Sequence, residues 1–369
     1  MAIERLPDPH SNVAKRQHIV PRTYMKPWSP DGERVWTYDR SETSPSIVSH
    51  RMMSVNYIRN TYDILPGDLF YTQDALNDIF GFLDGYEIEY DRKKLTSHEE
   101  LNNNYKNFDS WVIIKPDGTS ITETERIQIR DALKEARYPF TEKAWDAQYE
   151  SDWRSFITDL ERRLRSVKSA GKNEGADTIT SDDLTKVMEY YLMFDFRSES
   201  RNAFVDSCLN DAINFFLSAI PPMKAAMNDP IPEKDRVHKD EDTHLKELRG
   251  NHYRKVFYDF LSSGAGNIKS TLDQYRKIFE IHFMLSDSIH PFITSNNPAF
   301  THTYDNGTKE NVFIALPTLA ILMGKGNKTE FLISNANAQE VENVNKIVYQ
   351  EGDELILPSD AFDISILKN

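Results

Sequence analysis

Residues 292–323, FITSNNPAFTHTYDNGTKENVFIALPTLAILM, hold three short apolar runs: FIT (Phe292 to Thr294), VFIAL (Val312 to Leu316) and LAILM (Leu319 to Met323). Runs this short, bounded by Asn, Pro, Gly and Asp, read as strands rather than helices. FLIS (Phe331 to Ser334) and ELIL (Glu354 to Leu357) repeat the pattern further on. Between these two, Asn337 with Glu340 fits a helix start, and Val341, Val344, Asn345 and Val348 follow at helical spacing. The last third of the chain is therefore strand-rich with a single helix.

The middle of the chain reads differently. Thr122 with Glu125 forms a capping-box pattern, after which Ile129, Ala132, Leu133 and Ala136 recur at helical spacing until Pro139. Trp153, Phe156, Ile157, Leu160, Leu164 and Val167 make a second stripe, and Thr180 with Asp183 opens a third that carries Leu184, Val187, Met188, Tyr191 and Leu192. Phe204 to Ile220 is apolar nearly all round and predicts a central helix, stopped by Pro221 and Pro222. Leu245, Leu248, His252, Val256 and Phe260 predict a fifth helix, and Ile268, Leu272, Tyr275, Phe279 and His282 to Leu285 a sixth. Near the N-terminus, ERVWTYDR after the turn-forming SPDG (Ser29 to Gly32) reads as an early strand, while DGYEIEYD fits either a strand or a helix end. An early strand, a helical middle and a strand-rich end imply an α+β fold, with a small mixed or antiparallel sheet built mainly from the C-terminal third plus the N-terminal strand. There is no internal repeat, so the expectation is one domain over 1–369, with a surface insertion or linker at 221–243, where prolines and EKDRVHKDED cluster.

Composition excludes several function classes. The 369 residues carry 44 Lys+Arg against 58 Asp+Glu, a formal charge of −14, and the mean hydropathy is −0.60. Such a chain is neither disordered nor a membrane bundle. The run Val312 to Met323 is broken by Pro317 and Thr318 and is too short to span a bilayer, and charges at Glu4, Arg5, Asp8, Lys15 and Arg16 interrupt any secretory signal, so the expectation is a cytoplasmic protein without membrane partners. The single cysteine, Cys208, permits no internal disulfide and nucleates no structural zinc site. Acid surplus argues against a general affinity for nucleic acid. Nucleic acid or a nucleotide would have to use local basic patches, either Lys15, Arg16, Arg22, Lys26 and Arg34 or Arg162, Arg163, Arg165, Lys168 and Lys172; solvated, acid-balanced faces are the commoner meaning of such runs.

Three separated segments carry a resemblance. QHIVPRTYMKPW (17–28) followed by VWTYDR, then ALKEARYPF (132–140), then FITSNNPAF (292–300) followed by ALPTLAILM are together similar, in order, to the family known as domain of unknown function 4238. In that family a QHxVPxxYL-like run precedes a V/I-W-x-Y-D strand, a central helix closes on R-x-P, and a FITSDNP turn precedes a short "PLSP" segment. The resemblance implies a mainly bacterial protein, often carried with accessory or mobile-element genes, some of whose relatives look like anti-phage defence genes. It implies no particular reaction. This chain has Asn296 where the family usually has Asp, which puts any activity of that carboxylate in doubt.

Four residues are candidates for chemistry: His18, Arg137, Asn296 and Asn297. His18 is an imidazole near Pro21, Arg22 and Tyr24, able to act as base, metal ligand or phosphate contact, or to hydrogen-bond within the fold. HIVP also resembles the first His of ββα-metal nucleases, with His50, Asn56 and Asn60 as partners and a divalent metal as cofactor, although the cysteine knuckle is missing; no other cofactor is indicated. Arg137, expected in the last turn of its helix, reads equally as an anion clamp and as a C-terminal cap. Asn296 and Asn297 sit in the polar turn Thr294 to Pro298, where they would orient a water or a substrate amide, or redirect the chain as an Asx turn. Asp91-Arg92-Lys93 fails as a nuclease D-x-K because Arg92 is not apolar; Arg276 and His282 match R-x5-H only loosely; His252 reads as a core histidine; and Walker, GxGxxG, GxSxG and HExxH motifs are lacking. Two functions stay open. One is a hydrolase or nuclease-like effector acting on nucleic acid or nucleotides; the other is a non-catalytic binding or sensor module for a protein partner or small ligand.

Overall fold

A computed structural model describes residues 17–18, 20–55, 57–58, 63–172, 178–198, 207, 211, 243–326 and 331–368. The fold is α+β. The described residues fall into two compact units. A sheet unit takes Arg16–Arg59, Trp145–Phe204 and Gly264–Asn369; a hairpin unit takes Asn60–Ala144 and Val205–Ser263. Strands are numbered along the chain.

The sheet unit contains two sheets. In the larger, β10 (Ala299–Thr303), β11 (Lys309–Leu316), β12 (Leu319–Lys325), β8 (Phe279–Leu285) and β13 (Phe331–Asn335) lie in that order. All pairs are antiparallel except β8 with β13, which run parallel. Residues Asn311 to Leu316 of β11 are all buried, whichever way the pleat turns them, which is why the sequence there is a continuous apolar run without alternation. On one face Phe313 packs on Trp153 and Phe194 at ring-centroid distances of 5.6 and 5.5 Å. Trp153 comes from the helix Ser151–Ser169 and Phe194 from the helix Ser181–Arg197, so the two amphipathic stripes read from sequence meet the sheet here. An aromatic burying ~200 Å2 contributes roughly 5 kcal/mol of transfer free energy before conformational entropy is subtracted. Arg163 ties the two helices, its guanidinium gripping both oxygens of Asp183 at 2.8 and 2.7 Å; Asp183 is also the N3 residue of the Thr180 capping box.

The smaller sheet has the order β3 (Ile47–Arg51), β2 (Arg34–Asp39), β14 (Glu354–Leu357), β9 (Thr294–Ser295), all antiparallel. The early VWTYD strand thus pairs with the ELIL strand from the far end of the chain. A two-residue ladder, β1 (Gln17–His18) with β4 (Tyr57–Ile58), stands apart.

The hairpin unit has a three-stranded antiparallel sheet, order β6 (Lys93–Leu95), β5 (Glu87–Tyr90), β7 (Val112–Ile114). DGYEIEYD is therefore a strand, and Asp91 and Arg92 form the tight turn after it with φ of 50° and 62°. That turn explains the charged residue inside the D-x-K string: Arg92 projects from a hairpin and faces no core. Helices Gln73–Phe80, Glu123–Glu135 and Thr243–Ser263 belong to the same unit. Arg254 on the last of these makes a buried ion pair with Asp68 (3.0 Å) and donates to the Asp63 carbonyl (3.0 Å). Burial pushes the Asp68 carboxyl up to about 6, the Arg254 charge opposing.

Two expectations differ from the structure. The sixth helix stops at Ile278, and Phe279–Leu285 is the strand β8; Phe279, Ile281, Phe283 and Leu285 alternate with Glu280, His282 and Met284, and pairing on both edges overrides the helical continuation. Arg276 and His282 are accordingly on different elements. The run FIT is a strand only from Thr294. Phe292 and Ile293 instead donate their N–H groups to the Pro317 carbonyl (2.7 Å) and the Asn345 side chain (2.9 Å). The helix expected over Phe204 to Ile220 and the excursion over 221–243 lie outside the described residues, apart from Ser207, Asp211 and Thr243.

Candidate functional site

Two of the three family-like segments meet in the sheet unit. Tyr24 and Trp28, from QHIVPRTYMKPW, are buried. Trp28 Nε1 donates to the Phe292 carbonyl at 2.9 Å, Tyr24 Oη lies 2.7 Å from Thr294 Oγ1, and Tyr24 also donates to the Ile314 carbonyl. Burial pushes the Tyr24 phenol far up, so it remains a protonated donor. The third segment, ALKEARYPF, belongs to the hairpin unit.

The turn Thr294 to Pro298 holds the ends of other elements. Asn296 Oδ1 accepts from the N–H groups of Asp353 (3.2 Å) and Glu354 (3.4 Å), and its own N–H donates to the Glu354 carbonyl (2.9 Å). Its side-chain oxygen works only as an acceptor there, a duty an aspartate would perform equally. An aspartate at this position would keep both of these acceptor contacts. Gly352 lies so close to Ser295 that a Cβ would fall 2.3 Å from the serine Cβ, so only glycine fits. Asn297 is buried. Its N–H donates to Ser295 Oγ (3.0 Å), its Nδ2 donates to the Glu351 carbonyl (3.4 Å), and its Oδ1 has no partner among the described residues. Buried amide oxygens are rarely left unpartnered, and this one lies at the Glu351 end of the helix Ala338–Glu351.

Glu351 also holds a histidine. Its Oε1 lies 2.8 Å from Nδ1 of His302, on β10, with the imidazole largely buried at 12% side-chain exposure. The carboxylate favours a proton on Nδ1, so that in the neutral ring Nε2 is the acceptor, and Nε2 has no partner among the described residues. Tyr304 stands edge-on to the ring at 4.7 Å between centroids and donates to Glu310 at 2.6 Å; burial, then the Glu310 carboxylate, push that phenol up. Glu310 is the cross-strand partner of His302. A histidine held on one nitrogen by a carboxylate and open on the other is the geometry of a general base or acid.

His98, in the hairpin unit, contrasts with it. Nε2 lies 2.8 Å from Asp84 Oδ1 and Nδ1 lies 3.0 Å from Asn77 Oδ1, so both nitrogens are occupied and the ring is a strut. It borders a cleft of about 570 Å3 lined among others by Gln73, Asp84, Tyr86, Lys94 and Thr96, within the size range of small-ligand pockets.

The remaining sequence candidates are placed as follows. His18 pairs through its backbone with Tyr57, and its side chain lies outside the described residues, as do Asn56 and Asn60; His50 is exposed on β3. Arg137 lies beyond its helix, which ends at Glu135, because residues up to Tyr138 turn extended and Tyr138 exchanges two backbone hydrogen bonds with Ile64. Its guanidinium is buried against Glu135, reaching the carbonyl at 3.3 Å and the carboxylate at 3.4 Å. In the second basic patch Arg162 and Arg163 pair with Asp159, Arg165 with Glu161, and Lys168 donates to the Ile333 carbonyl, so those charges serve the fold. Among the described residues no cluster of three His, Cys, Asp or Glu is placed to hold a metal, and no helix is long and apolar enough to cross a membrane. His302 escaped the sequence reading although a signal was present: Phe300, His302 and Tyr304 alternate with Thr301 and Thr303 ahead of Asp305-Asn306-Gly307, a hairpin pattern.

No curated protein and no solved structure matches the chain. The family described as protein of unknown function (DUF4238) matches residues 16–361. That match takes in both units and the three segments together, and the chain belongs to the DUF4238 family.

Proposed function

We propose that the protein is a hydrolase working by general acid–base catalysis, with His302 as the proton-transfer group and Glu351 as the carboxylate that orients it. The observation that carries the proposal is the 2.8 Å contact from Nδ1 to Oε1 together with the open Nε2. Asn297, whose unpartnered Oδ1 adjoins the same glutamate, is the group proposed to fix a water or a substrate N–H. The substrate class proposed from the sequence is nucleic acid or a nucleotide, and the setting a cytoplasmic effector in bacterial phage defence. Purified protein incubated with RNA, DNA, nucleoside triphosphates and nitrophenyl esters, with and without divalent cations, tests this alongside His302→Ala, Glu351→Gln and His18→Ala. Turnover of one class should fall about 10²- to 10⁴-fold in His302→Ala, the range of a lost general base. No turnover in any condition, or an unchanged rate in His302→Ala, defeats the proposal.

A second reading is favoured by the 570 Å3 cleft of the hairpin unit and by the structural duties of Asn296 and Arg137: a non-catalytic module that binds a small ligand or a protein partner. Saturable ligand binding lost on filling that cleft, with no turnover, selects it.

A further inference from the structure

A second pair of side chains on the large sheet has a different chemical character from the His302 centre. His282, on β8, places Nε2 2.8 Å from Ser334 Oγ on the parallel neighbour β13. In the register Leu332 faces His282 and Ser334 faces Met284, so the serine is the diagonal neighbour of the histidine on one face of the sheet. Both side chains are half-buried and reachable; His282 is on a strand paired along both edges, and Ser334 is on the edge strand beside it. Among the described residues the serine hydroxyl has no partner other than the imidazole.

We propose that Ser334 and His282 form a nucleophile–base pair for acyl transfer from uncharged or cationic esters. The acyl preference follows from the neighbours. Leu332, 40% exposed beside His282, offers an apolar platform for the acyl chain. Glu310, Glu340 and Glu280 are the charges that act on the imidazole, and the same carboxylates repel an anionic substrate. Burial lowers the His282 imidazole below its ordinary value while those three glutamates oppose it, and the net effect favours the neutral, proton-accepting form.

The step balances without a further reagent. Ser334 Oγ forms a bond to the acyl carbon as its proton passes to His282 Nε2. The bond from that carbon to the alcohol oxygen breaks, and the Nε2 proton goes to the departing alkoxide. Water repeats the sequence: its oxygen bonds to the acyl carbon as its proton passes to Nε2, the bond from that carbon to Ser334 Oγ breaks, Nε2 returns the proton to Oγ, and a carboxylic acid leaves.

A neutral alkyl fluorophosphonate is the probe. Oγ would bond to phosphorus and the P–F bond would break, with fluoride leaving and the serine proton taken by Nε2. Intact protein should gain one phosphonyl group, located on Ser334 by peptide mass spectrometry and absent in Ser334→Ala. The labelling rate should fall at least about 100-fold in His282→Gln, the size of a lost general base, with an unchanged melting temperature. If His282→Gln melts early, His282→Asn replaces it as the base-deleted variant. Absence of the label, a label on another residue, or an equal rate in a folded His282 variant overturns the proposal. The labelled serine does not depend on His302, so failure here and failure of the His302 hydrolase reading give different results.

Discussion

Tyr24→Phe is the most direct test of how the family-like segments hold the sheet unit together. The ring is fully buried and its packing against Trp28, Trp153 and Phe194 is kept by phenylalanine, so the perturbation is the hydroxyl alone. The directions of its two hydrogen bonds follow from the partners. The Ile314 carbonyl can only accept, so Tyr24 donates there, and the Thr294 hydroxyl must then donate to Tyr24 Oη. Deleting the hydroxyl leaves a buried carbonyl and a buried hydroxyl each without that partner. Stranding a buried polar group costs about 1–3 kcal/mol, so Tyr24→Phe should cost about 3 kcal/mol and Thr294→Val, which removes only the second bond, about 1 kcal/mol. Urea unfolding followed by tryptophan fluorescence measures both, and the double variant should show a coupling of about 1 kcal/mol. A cost below about 0.5 kcal/mol for Tyr24→Phe, with an unchanged denaturant slope, would refute the reasoning, because the hydroxyl would then be solvated or dispensable.

Gly352→Ala should destabilise by about 1–3 kcal/mol through overpacking against Ser295, and Ser295→Gly in the same chain should restore most of the loss in thermal melts. Asn296→Asp should be tolerated in melting and in any activity, whereas Asn296→Ala should lose about 1–2 kcal/mol, the two N–H groups at Asp353 and Glu354 losing their acceptor. The Asp68 carboxyl has its folded value raised from 3.8 to about 6, so the folded state binds the proton more tightly than the unfolded one. Its contribution to stability therefore falls as pH rises from about 4 to 6 and is flat above. Asp68→Asn should remove that slope, and parallel stability–pH curves for the two proteins would contradict it.

Elements with a strong local signature were legible in the sequence. The capping boxes at Thr122, Thr180 and Asn337 are formed as read, and the strand VWTYD and the runs around 312–323 are strands, because side-chain caps and apolar length are local properties. What escaped depends on partners distant in sequence. Residues 279–285 carry a pattern that a helix or a strand would fit, and only pairing with β12 and β13 decides it. From local sequence Arg137 belongs to the last turn of a helix, but the contact of Tyr138 with Ile64 draws the chain out of helical geometry earlier. The candidate site divides in the same way. Asn296 and Asn297 were visible as a polar turn at a strand, yet His302 becomes notable only beside Glu351, and Ser334 only beside His282. A histidine is not distinguished by its own letter; its meaning lies in which nitrogen is occupied and by what.

The placement of β14 between β2 and β9 bears on how the protein is made. Its two ladder partners leave the ribosome well before it does, and until Glu354–Leu357 emerges β2 and β9 face each other across a missing strand, each with a bare row of amide and carbonyl groups. Closure of the smaller sheet is thus deferred until residues 354–357 have been made, and a polypeptide cut short before that strand would carry two unzipped edges, a natural client for chaperones.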